Sequence, residues 1–416
     1  MGSASSNGSM KRKRVAVMFG GRSVEHEISV ITGLQIIKAI DVVEYEPVPV
    51  YIAPSGKWYS GALLTDQSFY KNMPSSLNDV DEVVLLPVPG IGGLTILRAA
   101  QRTGASVLEE ENSVIPIDFY FPAFHGTYGE DGCLQGLLEM AEVAYSGCGV
   151  LASALSMSKQ HCKDVVSRYG VPVLPSIVVQ KEKIQSELGK GLVSVREDIL
   201  RTPGFESFPL FVKPCTLGSS IGIARVTNSA ELDAGLLQAL KYDSQAMIEP
   251  CLDNKMEINV AILEGTEAMA SVTEIPIPKA GKELTYEDKY LTGGGKKSGG
   301  AAAQGMAALT RIIDPPDLAS DIKTSVCDYA KTAFKSLGCA GAARLDFLVD
   351  LSNEKIYFNE INPLPGSLAF YLWAGLKPPL LFTELITRII TRGERAFQEK
   401  TSLTRNIGFR ALVKQG

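Results

Sequence analysis

Two neighbouring segments near the C-terminus carry acidic and amide side chains inside apolar strand patterns. The sequences AARLDFLVD (342–350) and KIYFNEIN (355–362) both alternate like strands, and a short link joins them. Alternation puts Asp346 on one face of the first segment with Arg344, and it puts Glu360 and Asn362 on one face of the second with Phe358. If the segments pair as a hairpin, Asp346, Glu360 and Asn362 come together.

Three oxygen donors with no histidine or cysteine among them suit a hard cation. Mg²⁺ bound together with nucleotide phosphates is the most natural occupant of such a site. A solvated strand face with alternating charge would show the same pattern, and these strands alone do not separate the two interpretations.

A second segment, VKPCTLGSSIGIARV (212–226), indicates phosphate binding. Lys213 ends a predicted strand, and Gly218, Ser219 and Ser220 fill a tight link to the next one. Small residues let consecutive backbone N–H groups approach phosphate oxygens. The segment is not a Walker A loop, since G-x-x-x-x-G-K-[ST] is absent. A plain hairpin turn is the alternative.

Acidic residues also precede or begin two predicted helices. His125, Glu130 and Asp131 lie in FHGTYGEDGCLQG (124–136), and Glu25 lies in SVEHEIS (23–29). Spacing alone favours acidic residues that complement the positive end of a helix dipole.

Elsewhere, IEPCLDNKMEINVAI (248–262) joins two strands at a predicted domain border, where a crevice could hold a base with Glu257 at a ribose hydroxyl.

The elements that would position these residues fall into three regions. RVAVMFGG (14–21) reads as a strand, and a helix with Ser23 as its N-cap follows. EPVPVYIAPSGKWY and PIDFYFPAFHG read as further strands. This alternation predicts an α/β domain with a mostly parallel sheet over residues 11–148.

The second region, 149–249, reads as a small α+β unit with the strands FPLFVKP, SIGIARV and QAMIEP. The third, 250–410, begins with a predicted hairpin, MEINVAILEG with EAMASVTEIPI. It contains a helix over about 317–337, the two acidic strands and a final helix. A stretch rich in Gly and Lys, about 283–305, is predicted to form a mobile lid.

Composition limits the function classes. The 416 residues carry a formal charge of −5, without the basic footprint of a nucleic-acid partner. No apolar run is long enough for a membrane span. Seven cysteines at wide spacings and only three histidines make a zinc site improbable and predict reduced thiols in a cytoplasmic protein.

Seven short motifs in order resemble the D-alanine–D-alanine ligase family of ATP-grasp enzymes. They are GGRSVEHEISV, HGTYGEDGCLQG, SALSMSKQHCK, VKPCTLGSSIGI, YEDKYL, AARLDF and NEINPLPG, and the resemblance runs from residue 14 to about residue 373. It implies an ATP-grasp fold of three domains, with mixed α/β and α+β architecture and a Rossmann-like N-terminal domain. It also implies an ATP-dependent ligase that makes D-alanyl-D-alanine for peptidoglycan.

The resemblance assigns roles position by position. It places a group of residues at ATP: Lys159, Lys213, Gly218, Ser220 and Lys289 towards the phosphates, Glu249 and Leu252 at adenine, and Glu257 at the ribose. It makes Asp346, Glu360 and Asn362 ligands of two Mg²⁺ ions, for which Mn²⁺ would substitute.

The remaining implied roles concern the amino acids. Glu25 receives the ammonium of the first D-alanine, and Ser219 and Tyr290 are its hydrogen-bonded partners. His125 lies on the substrate side. Arg344 and the backbone of Gly366 hold the oxyanion that forms when an amine attacks an acyl phosphate. Because members of this family commonly form homodimers, the resemblance also implies a homodimer.

One segment departs from the family. Ser367 and Leu368, the predicted contacts of the second substrate, follow Gly366 at once, and the bulky Tyr371 and Trp373 come soon after. Either the loop is shortened or the second pocket differs. Two alternatives to D-alanyl-D-alanine synthesis therefore stay open: a ligase of the same mechanism that joins other amino acids, and a nucleotide-binding regulator without catalysis.

Overall fold

The computed structural model describes residues 11–98, 113–185, 191–218, 221–277 and 311–405. Its first part is a seven-stranded sheet in the order β6-β5-β4-β3-β2-β1-β7. The strands are β1 (Lys13–Gly20), β2 (Tyr45–Ile52), β3 (Trp58–Ser60), β4 (Asp81–Val84), β5 (Gly93–Arg98), β6 (Val114–Pro116) and β7 (Phe119–Pro122). Two helices, α1 (His26–Ala39) and α2 (Cys133–Ala141), and three 3₁₀ helices, Ala62–Thr65, Gln67–Asn72 and Ser75–Asp79, connect them.

The prediction of a mostly parallel sheet is wrong. Only β2, β1 and β7 run parallel, and the pairs from β2 to β6 are antiparallel. The segment EPVPVYIAPSGKWY, which we expected to form one strand, folds instead into the hairpin β2–β3. Gly56 lies in its turn with a φ of +87°, a conformation that glycine adopts without strain.

The start of α1 also differs from its prediction. Glu25, not Ser23, holds the N-cap position, and the Ser23 hydroxyl accepts a hydrogen bond from the Glu25 backbone N–H at 3.1 Å. Gly33 lets this helix lie directly on the sheet, because a Cβ there would be 2.5 Å from the ring of Phe19. The start of α1 is thereby held at the carboxyl end of β1.

The second part is a four-stranded antiparallel sheet in the order β10-β9-β11-β8. Its strands are β8 (Ile177–Gln180), β9 (Leu210–Pro214), β10 (Ala224–Val226) and β11 (Gln245–Pro250). Its helices are α3 (Val150–Met157), α4 (Lys159–Arg168), α5 (Lys181–Gln185), α6 (Gly191–Arg201) and α7 (Ser229–Tyr242). The three strands predicted here are confirmed.

The third part is a five-stranded antiparallel sheet in the order β14-β13-β12-β15-β16. Its strands are β12 (Lys255–Leu263), β13 (Met269–Pro276), β14 (Arg311–Ile313), β15 (Ala342–Asp350) and β16 (Lys355–Asn362). The helices are α8 (Ser320–Ser336), α9 (Phe370–Trp373) and α10 (Phe382–Thr401), with a 3₁₀ turn at Gly366–Ala369. Both predicted hairpins are confirmed.

The last helix ties the third part to the first. Leu385, Ile386 and Ile389 of α10 are buried in one apolar cluster with Val15 and Phe119 of the first sheet. A separate cluster lies between α8, α4 and the five-stranded sheet. Within the described ranges no helix is long and apolar enough to cross a bilayer. All seven cysteines are free thiols.

Candidate active site

A cavity of about 310 Å³ lies between the four-stranded and the five-stranded sheets. Residues with a predicted ATP role line it, together with the predicted metal ligand Glu360: Lys159, Lys213, Gly218, Glu249, Leu252 and Glu257. They come from α4, β9, β11, β12, β16 and the loops between them. The fold therefore gathers into one cavity residues that are about 200 positions apart in the sequence.

A buried cluster of charges forms one wall of the cavity. Glu249 is 2% exposed, and its Oε2 accepts a hydrogen bond from Lys213 Nζ at 2.6 Å. Its other oxygen is paired with Lys163. Burial raises the pKa of Glu249, but the charges of Lys213 and Lys163 outweigh it and lower the pKa to about 2. Glu249 is therefore ionised at every pH at which the protein would be used.

Lys163 is a residue that our sequence reasoning missed. It is 2% exposed, and burial lowers its pKa to about 8, although the Glu249 charge opposes this change. Its spacing from Lys159 could have identified it, because residues four positions apart lie on the same face of a helix such as α4.

Lys159 and Lys213 also contact residues of β16. Lys159 Nζ donates to the backbone oxygen of Leu217 at 2.7 Å and lies 3.4 Å from Glu360 Oε2. Lys213 Nζ donates to Asn359 Oδ1 at 3.3 Å. Both ammonium groups are buried and point at the strand that carries the predicted metal ligands.

The predicted pairing of the two acidic strands is confirmed. Asp346 lies directly opposite Glu360, and Arg344 lies opposite Asn362. Arg344 donates two hydrogen bonds of 2.8 Å to the two oxygens of Asp346. The amide of Asn362 donates to Asp346 Oδ2 at 3.2 Å. The three predicted oxygen donors therefore meet on one face.

One detail of this hairpin was predicted wrongly. Phe358 does not share a face with Glu360, because a bulge after Asp346 inserts Asn359 as an extra residue and shifts the alternation. Phe358 instead packs edge-on against Phe347 in the core, with ring centroids 5.8 Å apart. Asn359 and Glu360 both line the cavity as a result.

The donor set at this hairpin fits a hard divalent cation. Two carboxylates and one amide offer oxygen atoms only, and both Asp346 oxygens already lie against hydrogen-bond donors, which fixes their direction. No group of three or more His, Cys, Asp or Glu side chains converges anywhere among the described residues, this hairpin included. What this hairpin offers to a cation is two carboxylates and one amide on neighbouring strands.

A smaller cavity of about 40 Å³ adjoins the first and shares Lys159, Gly218 and Glu360 with it. Glu25 lies at its far end. A Cβ on Gly218 would lie 3.5 Å from Glu25 Oε2, and one on Gly126 would lie 2.7 Å from the same oxygen. The two glycines therefore leave the space into which the carboxylate of Glu25 projects.

Glu130 does not act as a solvated helix-dipole residue. It is half-buried, accepts hydrogen bonds from the backbone N–H groups of Gly126 at 2.6 Å and Leu364 at 3.1 Å, and lines the smaller cavity. Burial raises its pKa well above the usual value, and the Glu25 charge raises it further. Asp131 does satisfy the start of α2, since its Oδ1 accepts from the Cys133 N–H at 3.0 Å.

His125 lies behind these carboxylates. Its Nε2 is 2.9 Å from the Thr32 hydroxyl, and that hydroxyl also accepts a hydrogen bond from the Ser367 N–H at 3.2 Å. Burial lowers the pKa of His125 to about 4, so the imidazole is neutral at neutral pH. Thr32, which our sequence reasoning missed, therefore joins the predicted residues His125 and Ser367.

The segment after Gly366 adopts an unusual backbone. Ser367, Leu368 and Ala369 all have φ values near +50° and are buried, which is the left-handed region that side chains with a Cβ disfavour. Trp373, fully buried, donates from Nε1 to the Leu368 oxygen at 3.3 Å and holds the turn.

This turn directs Tyr371 onto β13. Tyr371 Oη donates to Glu274 Oε1 at 3.2 Å, and the same oxygen accepts from Asn259 Nδ2 at 3.2 Å. Arg311 donates to Glu274 Oε2 at 2.8 Å, and its guanidinium lies 4.1 Å from the centroid of the Tyr371 ring. Asn259 pairs directly with Asp346 on the neighbouring strand, so this cluster adjoins the predicted metal ligands.

Four predicted site residues lie outside the described residues: Ser219, Ser220, Lys289 and Tyr290. The predicted lid, about 283–305, lies outside them too. Their assignments stay predictions.

Comparisons with known proteins agree with this architecture. The family model described as D-ala D-ala ligase N-terminus matches residues 14–148, and the one described as D-ala D-ala ligase C-terminus matches residues 165–391. A D-alanine–D-alanine ligase from Chlorobium phaeovibrioides is 33% identical over 92% of this chain and 97% of its own length. One from Heliobacterium modesticaldum is 33% identical over 94% of this chain and 97% of its own.

Solved structures show the same fold. The D-alanine-D-alanine ligase from Coxiella burnetii matches with a TM-score of 0.71 and 25% identity, over 94% of this chain and 96% of that one. The VanG D-Ala:D-Ser ligase from Enterococcus faecalis matches with a TM-score of 0.72 and 24% identity, over 92% and 100%. The fold is the three-domain ATP-grasp fold, and the chain is an ATP-dependent ligase that belongs to the D-alanine–D-alanine ligase family.

Proposed function

We propose that the chain joins two D-alanine molecules into D-alanyl-D-alanine for peptidoglycan synthesis, with ATP as the energy source. Relatives that are about one-third identical over nearly the whole chain carry this name. The observation that carries the proposal is the convergence of Lys159, Lys213, Asp346 and Glu360 on one cavity, with Glu25 in the cavity that adjoins it.

The larger cavity suits ATP. Its lining includes Leu252 and Glu257 as well as the ammonium groups of Lys159 and Lys213. A nucleotide bound along it would have its ribose hydroxyls near Glu257 and its phosphates near the two lysines and Gly218. Glu249 holds Lys213 in place through their 2.6 Å contact, which keeps a positive charge where phosphate charge must be stabilised.

Asp346, Glu360 and Asn362 would hold two Mg²⁺ ions, which Mn²⁺ would replace. When bound, the metal neutralises charge on the phosphates during transfer of the terminal phosphoryl group. The chain's own contribution is orientation, because Arg344 and Asn362 fix the direction of both Asp346 oxygens.

The smaller cavity suits the first D-alanine. The Glu25 carboxylate would pair with its ammonium group, and this leaves the substrate carboxylate directed at the phosphates. The attack of a second amine on the resulting acyl phosphate creates an oxyanion. The Arg344 guanidinium and the Gly366 N–H are the groups proposed to stabilise it, because fixed donors in a buried site act more strongly than water does.

The second amino acid is the finer part of this proposal, and one observation favours an alternative. The buried cluster of Tyr371, Glu274 and Arg311 adjoins the reaction centre in the segment where the chain departs from its family. The fold does not determine this substrate, since a neighbour of the same fold is named a D-Ala:D-Ser ligase. A ligase with another second amino acid is therefore our second candidate.

We also propose a cytoplasmic homodimer. Seven free thiols suit a reducing compartment. The dimer is proposed only because members of the family commonly form dimers. Light scattering of the purified protein would decide the dimer, because a single species with the mass of one chain would contradict it.

The metal assignment is tested by replacing Asp346 with Asn and measuring phosphate release with ATP, Mg²⁺ and D-alanine. The change keeps the size of the side chain but removes its charge, so turnover should fall at least about 100-fold, as expected when a group acting on transition-state charge is lost. The matched control is Asp328→Asn on the exposed face of α8, which should leave turnover unchanged. Equal activity in both variants would contradict the assignment.

A further inference from the structure

Two cysteines from distant parts of the chain meet away from the proposed substrate cavities. Cys148 precedes α3, and Cys339 lies in the turn between α8 and β15. Each thiol shifts the pKa of the other, and Cys148 Sγ lies against Ala340, the residue directly after Cys339. Cys148 Sγ accepts from the Ala340 N–H at 3.5 Å, and Cys339 Sγ lies 3.9 Å from the Ser156 hydroxyl. Both thiols are buried in the same apolar cluster.

The backbone brings these two turns into direct contact. Gly147 and Gly341 have φ values of +90° and +69°, and a Cβ on Gly341 would lie 2.9 Å from the Gly147 Cα. Any larger residue at position 341 would push the turns apart. The approach thus fixes the neighbouring cysteines against each other, although they are 191 positions apart by their numbers in the chain.

A cavity of about 200 Å³ opens beside the pair. It is bounded by Gly147, Gly149, Ala340 and Gly341 on one side and by α10 on the other. Cys148 is 3% exposed and Cys339 is 9% exposed, so large reagents are excluded. Its lining includes Gly147 and Gly149, the chain neighbours of Cys148, and Ala340, the chain neighbour of Cys339.

The two thiols differ in their readiness to ionise. The hydrogen bond from Cys339 lowers the pKa of Cys148, burial opposes this, and the Ala340 N–H lowers it again. The same thiol–thiol bond and burial raise the pKa of Cys339 well above its usual value. Cys148 is therefore the better nucleophile of the pair, because the thiolate is the reactive form.

We propose that Cys148 and Cys339 are a redox-active pair that hydrogen peroxide oxidises to a disulfide. The Cys148 thiolate attacks one peroxide oxygen, the O–O bond breaks, and Cys148 sulfenic acid and hydroxide form. The Cys339 sulfur then attacks the sulfenic sulfur, and its proton leaves with the displaced hydroxide as water. The hydroxide from the first step takes up the proton that Cys148 lost on ionising. In sum, the two sulfurs lose two electrons, the peroxide gains them, and two water molecules result.

The disulfide would fasten the end of the first domain to the turn before β15. It does not depend on the proposed substrates, and its test does not use ligase activity. The chain supplies its own reference thiols. Cys133 is exposed and reports the oxidant dose, and Cys215 is fully buried with no thiol partner described.

The test treats the unaltered protein with graded hydrogen peroxide, blocks the remaining thiols after unfolding, and maps the peptides by mass spectrometry. We expect one cross-linked peptide pair that joins Cys148 to Cys339, lighter by two hydrogen atoms and lost on reduction with dithiothreitol. Cys215 should stay reduced at the same dose. In Cys339→Ser the sulfenic acid at Cys148 should be trapped by dimedone, and in Cys148→Ser no adduct should form at Cys339.

Two results would overturn the proposal. One is that Cys148 and Cys339 both remain free thiols at a dose that oxidises Cys133. The other is that either of them pairs with a different cysteine. Both results are read from the unaltered chain, so a variant that fails to fold does not affect the decision.

Discussion

Replacement of Glu249 by Gln should destabilise the protein more than most single substitutions do. The carboxylate is buried between the ammonium groups of Lys213 and Lys163, and its pKa is lowered from 4.5 to about 2. That difference corresponds to roughly 3 kcal/mol of stabilisation of the charged form. Removal of one partner of a buried ion pair costs about 3–5 kcal/mol in general, because it leaves uncompensated charge. We therefore expect a loss of about 3 kcal/mol.

The assay is urea denaturation at pH 7 without nucleotide. Lys163→Met is the matched variant, since burial already lowers the Lys163 pKa to about 8 despite the Glu249 charge. Its removal leaves the Lys213–Glu249 contact in place, so no buried charge loses its last partner, and it should cost clearly less than Glu249→Gln. The double variant should be more stable than Glu249→Gln alone, because it buries one unpaired cation fewer.

The pH dependence follows from the sign of the Glu249 shift. Its pKa is lower in the folded than in the unfolded chain, so its contribution is present above pH 4.5 and is lost as the pH falls towards 2. The reasoning would be refuted if Glu249→Gln lost less than about 1 kcal/mol, or if Lys163→Met cost as much as Glu249→Gln.

Three further outcomes are expected. Burial lowers the pKa of His125 from 6.5 to about 4, so the unfolded chain binds a proton between these values that the folded chain does not. Between pH 7 and pH 5 the unaltered protein should therefore lose about 2 kcal/mol more free energy of unfolding than His125→Asn does. Urea denaturation at both pH values measures this, and an equal loss in the two proteins would contradict it. Gly33→Ala should cost about 1–3 kcal/mol by overpacking against Phe19, whereas Gly136→Ala, with open space at its Cβ, should be neutral or stabilising in the same thermal melts. Tyr371→Phe loses the hydroxyl contact with Glu274, so initial rates should show a changed KM for the second amino acid and an unchanged KM for ATP.

The sequence predicted the pairing of β15 with β16 well because its determinants are local. Alternation along β15 and β16 and a short link between them fix which residues face each other, and Asp346 does lie opposite Glu360. The same reasoning failed at Asn359. A bulge depends on how two strands twist against their neighbours, and no residue type in KIYFNEIN predicts one.

Other features depend on contacts between distant segments. The antiparallel extension of the first sheet arises from hairpin turns, and each strand in it would look the same in a parallel sheet. The pairing of Glu249 with Lys163 joins β11 to α4, and the hydrogen bond from the Leu364 backbone to Glu130 joins segments more than 200 positions apart. The left-handed turn at Ser367–Ala369 is held by Trp373, so its residues alone gave no sign of it.

The identity of the product tests the central claim most directly. The protein is incubated with ATP, Mg²⁺ and either D-alanine alone or D-alanine with each of a panel of other amino acids, and dipeptides are identified by mass spectrometry. We predict that D-alanine alone yields D-alanyl-D-alanine with one phosphate released per dipeptide. If D-alanine alone yields neither product while another amino acid supports turnover, the D-alanyl-D-alanine assignment is contradicted.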